Sequence, residues 1–162
     1  MQWNTVAQRH YDWVEAMGWH NKTVLEALAL IGSEIGEVAG EIDDEGRVNT
    51  SFGEELADIV LRTLDLALTE HVDIDTWLGM VTVPMNVSAQ PVHVQLCGLM
   101  QTFGHWVNSA RAERTGADFA QALAQTLARV KALAESQHVD LAAEVERKIL
   151  KNLERGTRGR RI

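Results

Sequence analysis

Four acidic side chains occur as two pairs within hydrophobic stretches of the chain. Glu34 and Glu37 lie in SEIGEVAG, and Glu55 and Asp58 lie in EELADIVLR, so the members of each pair are three residues apart. On an α-helix, residues at this spacing lie on one face, about 60° apart. Carboxylate oxygens are hard ligands that suit Mg²⁺ or Mn²⁺, and a cluster of them can hold more than one ion. These residues, the two acid pairs, are therefore candidate metal ligands.

The spacing between the two pairs allows them to meet across one groove. Seventeen residues lie between Glu37 and Glu55, enough for one helix to end, a loop to follow and a second helix to return antiparallel. Two unit charges about 4 Å apart repel by about 4 kcal/mol at an effective dielectric near 20. Four acids in one groove would have raised pKa values or would need cations. The residues alone leave a second interpretation open, in which all four acids are solvated on exposed helix faces.

The segment that holds the second acid pair is apolar over most of its surface. Its apolar residues cover roughly 220° of a helical projection. The remaining narrow strip holds four polar residues, Glu55, Asp58, Arg62 and Asp65. A helix that is apolar nearly all round belongs inside a bundle, so this polar strip is predicted to face an enclosed cleft.

The elements that position these side chains are predicted to be helices. Stretches rich in Ala and Leu carry apolar residues at three- and four-residue spacing, and no alternating run is long enough for a sheet. Gly18, Gly46 and Gly116 fall near the breaks, Asp140 is a predicted N-cap, and the segment 79–92 with both prolines is a predicted connector. We predict an all-α helical bundle with helices at 4–17, 23–43, 53–70, 93–114, 118–136 and 140–155.

The second half of the chain repeats part of the first. After a shift of 67 residues, eight of the 22 positions in EELADIVLRTLDLALTEHVDID recur, including the His-Val-Asp triplets that begin at His71 and His138. We predict a degenerate internal duplication in which both histidines are structural turn residues. In the later copy the second acid pair is replaced by Ala122 and Gln125, which indicates that this half became scaffold.

Length and composition are those of one globular domain, 1–162. We divide it into a first half with the acid pairs (1–79), a second half that is mostly scaffold (93–155) and a basic tail (156–162). The lone Cys97 cannot form an internal disulfide, so we expect a cytoplasmic protein. No apolar run approaches the length of a membrane span, and the first residues lack the pattern of a signal peptide, so we expect no membrane association.

Charge is spread unevenly along the chain. The segment 148–162 has six basic residues and one acid, a net charge of +5, which leaves −13 on the rest of a chain whose total is −8. So acidic a body would repel a polyanion unless cations are bound to it or the tail is turned towards it. We therefore expect no specific nucleic-acid partner.

The two acid pairs also resemble a family motif. Glu34-x-x-Glu37, a spacer and then Glu55-x-x-Asp58 are similar to the motif of the MazG-like all-α nucleoside triphosphate pyrophosphohydrolases. This superfamily also includes the dimeric dUTPases.

A second motif strengthens the resemblance. Lys148-x-x-x-Asn152-x-x-Arg155 resembles the Lys-Asn-Arg element that closes many compact members of the family, and it stands in the expected order after the acid motif. The resemblance covers roughly 20–75 and 138–161.

The resemblance implies hydrolysis of a nucleoside triphosphate to the monophosphate and pyrophosphate. Both acid pairs would be catalytic and would bind two or three Mg²⁺ (or Mn²⁺) ions, which neutralise the phosphates and lower the pKa of an attacking water. One glutamate could also act as general base. The Lys-Asn-Arg element would hold phosphate oxygens. The tail would complete the site, in a neighbouring subunit; the alternative for Arg158, Arg160 and Arg161 is a solvated or nonspecific nucleic-acid-binding tail.

Candidate base-binding residues lie in GWHNK, which ends the first predicted helix and shortly precedes the helix with the first acid pair. Trp19 could stack on a base, and His20 or Asn21 could read its edge, so we single out Trp19 and Asn21. The alternative for Trp19 is packing in the core. The remaining tryptophans are predicted to pack in the core or a subunit interface: Trp3, Trp13, Trp77 and Trp106.

The family also implies an assembly and a substrate class. Small members are dimers or tetramers, and we expect a homo-oligomer, a tetramer before a dimer. We expect a purine substrate, dGTP first, because phage members of the MazZ type remove dGTP. Two alternatives stay open: a dUTPase or dCTPase of the same superfamily, and a non-catalytic helical module that binds nucleic acid through its tail.

Overall fold

The computed structural model describes residues 1–21, 23–83, 87–111 and 116–155. Within these ranges the chain forms seven α-helices and one 3₁₀ turn, with no β-strand, and this confirms the predicted all-α bundle. The helices are α1 (Trp3–Met17), α2 (Val24–Gly40), α3 (Phe52–Thr69), α4 (Ile74–Leu78), α5 (Val92–Arg111), α6 (Ala117–Ser136) and α7 (Leu141–Arg155), and the 3₁₀ turn is Val87–Ala89.

Three predictions fall partly outside the described residues. They are the basic tail 156–162, the end of the predicted helix 93–114 beyond Arg111, and the middle of the connector at 84–86.

The helix predicted at 23–43 is shorter than expected, because the loop that follows has its own hydrogen bonds. The chain leaves the helix after Gly40, and Ile42 forms an isolated antiparallel bridge with Val48. Inside this loop the Asp43 carboxylate accepts a hydrogen bond of 2.8 Å from the backbone N–H of Arg47. Gly46 lies at a φ of 79°, a left-handed conformation that glycine adopts without strain.

Helix α3 lies at the centre of the bundle. It packs against α1, α2, α6 and α7. Leu56, Ile59, Val60 and Leu64 on its apolar surface are fully buried. Burial of each such side chain stabilises the fold by about 1.5–3 kcal/mol. The apolar arc of α3 therefore explains why this helix lies in the interior, as predicted.

The two turns that follow α3 and α6 have the same backbone geometry. His71 and His138 both lie at a φ of 57°, in agreement with the prediction that they are turn residues. Two residues later, Asp73 caps α4 and Asp140 caps α7 by accepting a hydrogen bond of 3.1 Å from the backbone N–H three residues ahead. The predicted N-cap at Asp140 is therefore confirmed, and α4, whose five residues are too few to show a period, is the helix that the sequence did not predict.

The helix that follows each of these turns packs on the long helix of the other half. Helix α4 packs on α6, and α7 packs on α3. As a result, the Lys-Asn-Arg element of the second half lies beside the acid pairs of the first. Among the described helices, none has both the length and the apolar character needed to cross a membrane.

Candidate functional site

A cavity of about 460 Å³ lies between α1, α2, α3 and α7. Its lining includes eight of the nine residues singled out from the sequence: Glu34, Glu37, Glu55, Asp58, Lys148, Asn152, Arg155 and Trp19. The ninth, Asn21, instead lines a second cavity of about 270 Å³. The structure thus brings both motifs together from three different helices and leaves Asn21 apart from them.

Contacts at the starts of α2 and α3 help to position the two helices that carry the acid pairs. The Thr23 hydroxyl accepts a hydrogen bond of 3.1 Å from the Glu26 N–H, and the Glu26 carboxylate accepts one of 3.2 Å from the Thr23 N–H, which together form a capping box for α2. At the start of α3, a Cβ on Gly53 would lie only 2.9 Å from Glu144 Cγ and 3.1 Å from Val139 Cγ1. Glycine therefore lets α7 approach α3 closely at the end of α3 that carries the acids.

Three of the four paired acids form a compact cluster. Glu34, Glu37 and Glu55 each place one carboxylate oxygen within 4.8 Å of the others. Glu34 is buried, Glu55 is half-buried and Glu37 is exposed, so the cluster opens towards solvent on the Glu37 side. Oxygens on one octahedral Mg²⁺ lie about 3 to 4 Å apart, which small side-chain rotations would achieve here. The donor set fits a divalent ion.

The fourth acid, Asp58, is paired with a buried lysine from α7. The Lys148 ammonium forms an ion pair with Asp58 and donates a hydrogen bond of 2.8 Å to Glu54 Oε1. Only 8% of Lys148 is exposed. Lys151 also donates to Glu54, so this carboxylate has two cationic partners. The arrangement ties α7 to α3 through charge as well as packing.

An arginine on α3 neutralises Glu34, the buried member of the first acid pair. Arg62 Nε donates a hydrogen bond of 3.1 Å to Glu34 Oε1, across the interface between α3 and α2. Each acid pair therefore has one member with a cationic protein partner (Glu34 with Arg62, Asp58 with Lys148) and one member, Glu37 or Glu55, turned towards the cavity.

The environment perturbs the pKa values of these acids in two directions. Burial, and after it the Asp58 charge, raises the pKa values of Glu34 and Glu55. Burial also raises the pKa of Asp58, and this effect exceeds the opposing hydrogen bond from Lys148. Hydrogen bonds from Lys148 and Lys151 lower the pKa of Glu54 to about 2. A divalent ion would favour the ionised forms of the three acids with raised pKa values, and Glu54 is already ionised.

The same surroundings also perturb the pKa of Lys148. Burial alone would lower the pKa of Lys148, but its hydrogen bonds to Asp58 and Glu54 outweigh burial and raise it. The side chain therefore carries its positive charge into the cavity at neutral pH.

The opposite end of the cavity is aromatic. Trp13 and Trp19 pack edge to face, with ring centroids 4.9 Å apart and an interplanar angle of 89°. Burial, and after it the charges of Arg62 and His20, lowers the pKa of His10 to about 4, so this imidazole is neutral at pH 7. The cavity is thus charged at one end and largely aromatic at the other.

Three of the four remaining tryptophans lie in or against the core, as predicted. Trp3 and Trp106 are buried in the core, and Trp77 packs against it. Trp13 instead lines the cavity, because α1 packs along α3 and turns this face of α1 towards the acid-bearing strip.

Four polar residues of the cavity were not assigned a role from the sequence. Glu54 stands next to Glu55 in the motif, and Arg62 and Asp65 belong to the polar strip of α3. The sequence therefore contained a signal for each of these three residues. His10 carried no such signal, since only the packing of α1 against α3 brings it to the cavity.

We compared the chain with known proteins to test the resemblance. Comparison with protein-family models, with curated proteins and with solved structures gave no match. The resemblance to the MazG-like pyrophosphohydrolases therefore rests on the two sequence motifs alone.

Proposed function

We propose that this protein is a divalent-metal-dependent nucleoside triphosphate pyrophosphohydrolase. One observation carries the proposal: the two acid pairs and the Lys-Asn-Arg element, 90 or more residues apart in sequence, line a single cavity. A structural role for the acids alone would not require cationic and amide side chains to meet them in a cavity large enough for a ligand.

The acid pairs would hold the metal ions. Glu34, Glu37 and Glu55 supply the compact oxygen set, and Asp58 joins them when Lys148 turns away. Bound divalent ions would supply charge neutralisation at the phosphates and a water of lowered pKa. In the reaction a water oxygen forms a bond to the α-phosphorus, the bond from that phosphorus to the bridging oxygen breaks, and pyrophosphate leaves. A carboxylate of the acid pairs accepts the proton.

The Lys-Asn-Arg element would bind the triphosphate. Arg155 is exposed at the cavity rim and presents a planar fork of N–H donors to phosphate oxygens, while Lys148 offers a point charge. Lys148 can exchange Glu54 for a phosphate without leaving that carboxylate unpaired, because Lys151 also contacts Glu54. A Lys148 side chain that moves to a phosphate would also leave Asp58, so substrate entry would free Asp58 to bind an ion.

The aromatic end of the cavity supports a nucleoside substrate. Trp13 and Trp19 offer flat apolar surface where a base would lie once its triphosphate is at the acids. We favour a purine (deoxy)nucleoside triphosphate, dGTP first, in a homo-oligomer; a dUTPase or dCTPase activity is the alternative within the same chemistry.

A nucleotide panel with Mg²⁺ or Mn²⁺ and pyrophosphate as readout tests the proposal. We expect metal-dependent release of pyrophosphate from at least one nucleotide. The double variant Glu55→Gln/Asp58→Asn should keep its helical circular dichroism and lose more than about 100-fold in rate, beyond the 10- to 100-fold typical of outer-shell changes at metal sites. Undiminished turnover in this variant would refute the metal assignment.

A further inference from the structure

A second carboxylate position on the polar strip of α3, Asp65, borders the aromatic end of the cavity and also the second cavity. Asp65 follows Asp58 by seven residues, so the two lie on the same face, about 10.5 Å apart along the helix axis. This separation is comparable to the length of a nucleotide from its α-phosphate to the far edge of its base. A substrate with its phosphates at the acid pairs would therefore bring its base to Asp65.

The surroundings of Asp65 suit a base more than a phosphate. Besides Asp65, the cavity at this end is lined by Trp13, Trp19, His10 and Leu61. His10 is buried and neutral at pH 7, and the tryptophans offer ring surface. An aromatic ligand would bury apolar area here, and the polar Asp65 carboxylate would fix its orientation.

That polar group is incompletely satisfied. Only 8% of Asp65 is exposed, and its buried Oδ1 accepts no hydrogen bond within the described part of the chain. The nearest ionisable nitrogen, His20 Nδ1, is 3.7 Å from Oδ1, which is too far for a hydrogen bond. A buried acceptor without a donor is unfavourable, and a ligand that brings donors removes that penalty.

The chemistry of a carboxylate distinguishes the bases. An ionised carboxylate only accepts hydrogen bonds, through two adjacent oxygens. Guanine alone among the common bases presents two adjacent donors, its N1–H and its 2-amino group. Adenine and cytosine place an acceptor beside their amino group, and uracil and thymine place a carbonyl on each side of their single N–H. Facing a carboxylate, each of these acceptors would be repelled.

We propose that Asp65 is the residue that selects the base, and that it selects guanine by accepting hydrogen bonds from N1–H and the 2-amino group. This inference rests on the proposed function and adds the residue that recognises the base.

The test compares guanine and hypoxanthine nucleotides, which differ only by the 2-amino group. In the wild type, kcat/KM for dGTP should exceed that for dITP by roughly 10- to 100-fold, the range for one hydrogen bond to a charged group. In Asp65→Asn this ratio should fall to near one, and activity on dATP should rise, because an amide offers the donor and acceptor that adenine matches. Glu70→Gln, which removes an exposed acid beside the second cavity, is the matched control and should leave the ratio unchanged.

Binding of the product separates this inference from the proposed function. Quenching of tryptophan fluorescence by dGMP and dIMP, measured with EDTA present, reports the base site without turnover. Wild type should bind dGMP more tightly than dIMP by the same factor, and Asp65→Asn should bind both equally. An unchanged ratio in Asp65→Asn, for binding and for kcat/KM, would overturn the role of Asp65 while leaving the hydrolase intact. Absence of hydrolysis for every nucleotide, with selective dGMP binding retained, would instead overturn the proposed function alone.

Discussion

Helices α3 and α6 occupy corresponding places in the two halves, yet their polar strips differ. Each is followed by a His-Val-Asp turn with the same positive φ and the same capping aspartate. On α3 the strip reads Glu55, Asp58, Arg62 and Asp65, whereas the corresponding residues of α6 are Ala122, Gln125, Arg129 and Ala132. The α6 strip shows that a helix of this bundle does not need acids at these positions, and the proposed function accounts for their presence on α3.

The partners of the two corresponding arginines differ in the same way. Arg62 donates to Glu34 on α2, while Arg129 lies against Gly98 on α5, where an added Cβ would be 2.7 Å from its Nη1. One arginine is part of an acid cluster, and the other packs against a helix backbone. The comparison separates what the bundle requires from what the cavity requires.

The largest expected effect tests whether both halves support the fold equally. Leu56 on α3 and Leu123 on α6 correspond in the repeat and are both fully buried. Leu56→Ala and Leu123→Ala should each lower the free energy of unfolding by about 2–5 kcal/mol in urea titrations, since each leaves a cavity in a packed core. A loss below about 1 kcal/mol for either one would show that its half is peripheral.

The next effect concerns His10, a buried titratable group that lines the cavity beside the polar strip of α3. His10 is 7% exposed, and its pKa falls from 6.5 to about 4 in the folded protein. Between these values the unfolded chain binds a proton that the folded chain does not, so stability is lost as pH falls from about 6.5 to about 4. The loss amounts to roughly 3 kcal/mol at about 1.4 kcal/mol for each pH unit.

Urea titrations at pH 7 and pH 4.5 measure this loss. Between pH 7 and pH 4.5, the free energy of unfolding should fall much less in His10→Gln than in wild type. In His105→Gln, at an exposed position of α5, it should fall as much as in wild type. Equal pH dependence in wild type and His10→Gln would contradict the buried neutral imidazole.

A smaller effect distinguishes two close helix contacts. A Cβ at Gly53 would meet the side chains of Glu144 and Val139, so Gly53→Ala must displace these side chains or α7 itself, at a cost of about 1–3 kcal/mol. A Cβ at Gly98 would meet only the end of the Arg129 side chain, which can turn away, so Gly98→Ala should be neutral or stabilising by up to about 1 kcal/mol. Thermal unfolding compares them, and Gly53→Ala should also slow nucleotide hydrolysis because α7 carries Lys148. Equal unfolding temperatures for the two variants would argue against a close contact at Gly53.

Much of the fold followed from the helical period, and the failures have local causes. The apolar arc of α3 predicted its central position, and the spacing of the acids predicted that Glu34, Glu37 and Glu55 would share a groove. The end of α2 was wrong because the side chain of Asp43 satisfies backbone N–H groups of the loop, an arrangement without periodicity.

The site was predictable where one helix carries the signal and not where packing between helices decides. The polar strip of α3 pointed to the cavity, and the resemblance supplied the Lys-Asn-Arg element of α7. The cavity positions of Trp13 and His10 depend on how α1 crosses α3, which no spacing within α1 encodes. The ion pair of Lys148 with Asp58 likewise depends on the exchange of α7 between the halves.

The central claim is that the acid pairs of the first half hold divalent ions, and direct titration of Mn²⁺ measures it. Free Mn²⁺ is followed by electron paramagnetic resonance without nucleotide, for wild type, for Glu55→Gln/Asp58→Asn and for Gln125→Ala at the corresponding position of α6. We predict that wild type and Gln125→Ala bind Mn²⁺ alike and that the double variant loses this binding. Binding that is equal in all three proteins, or absent from wild type, would contradict the account.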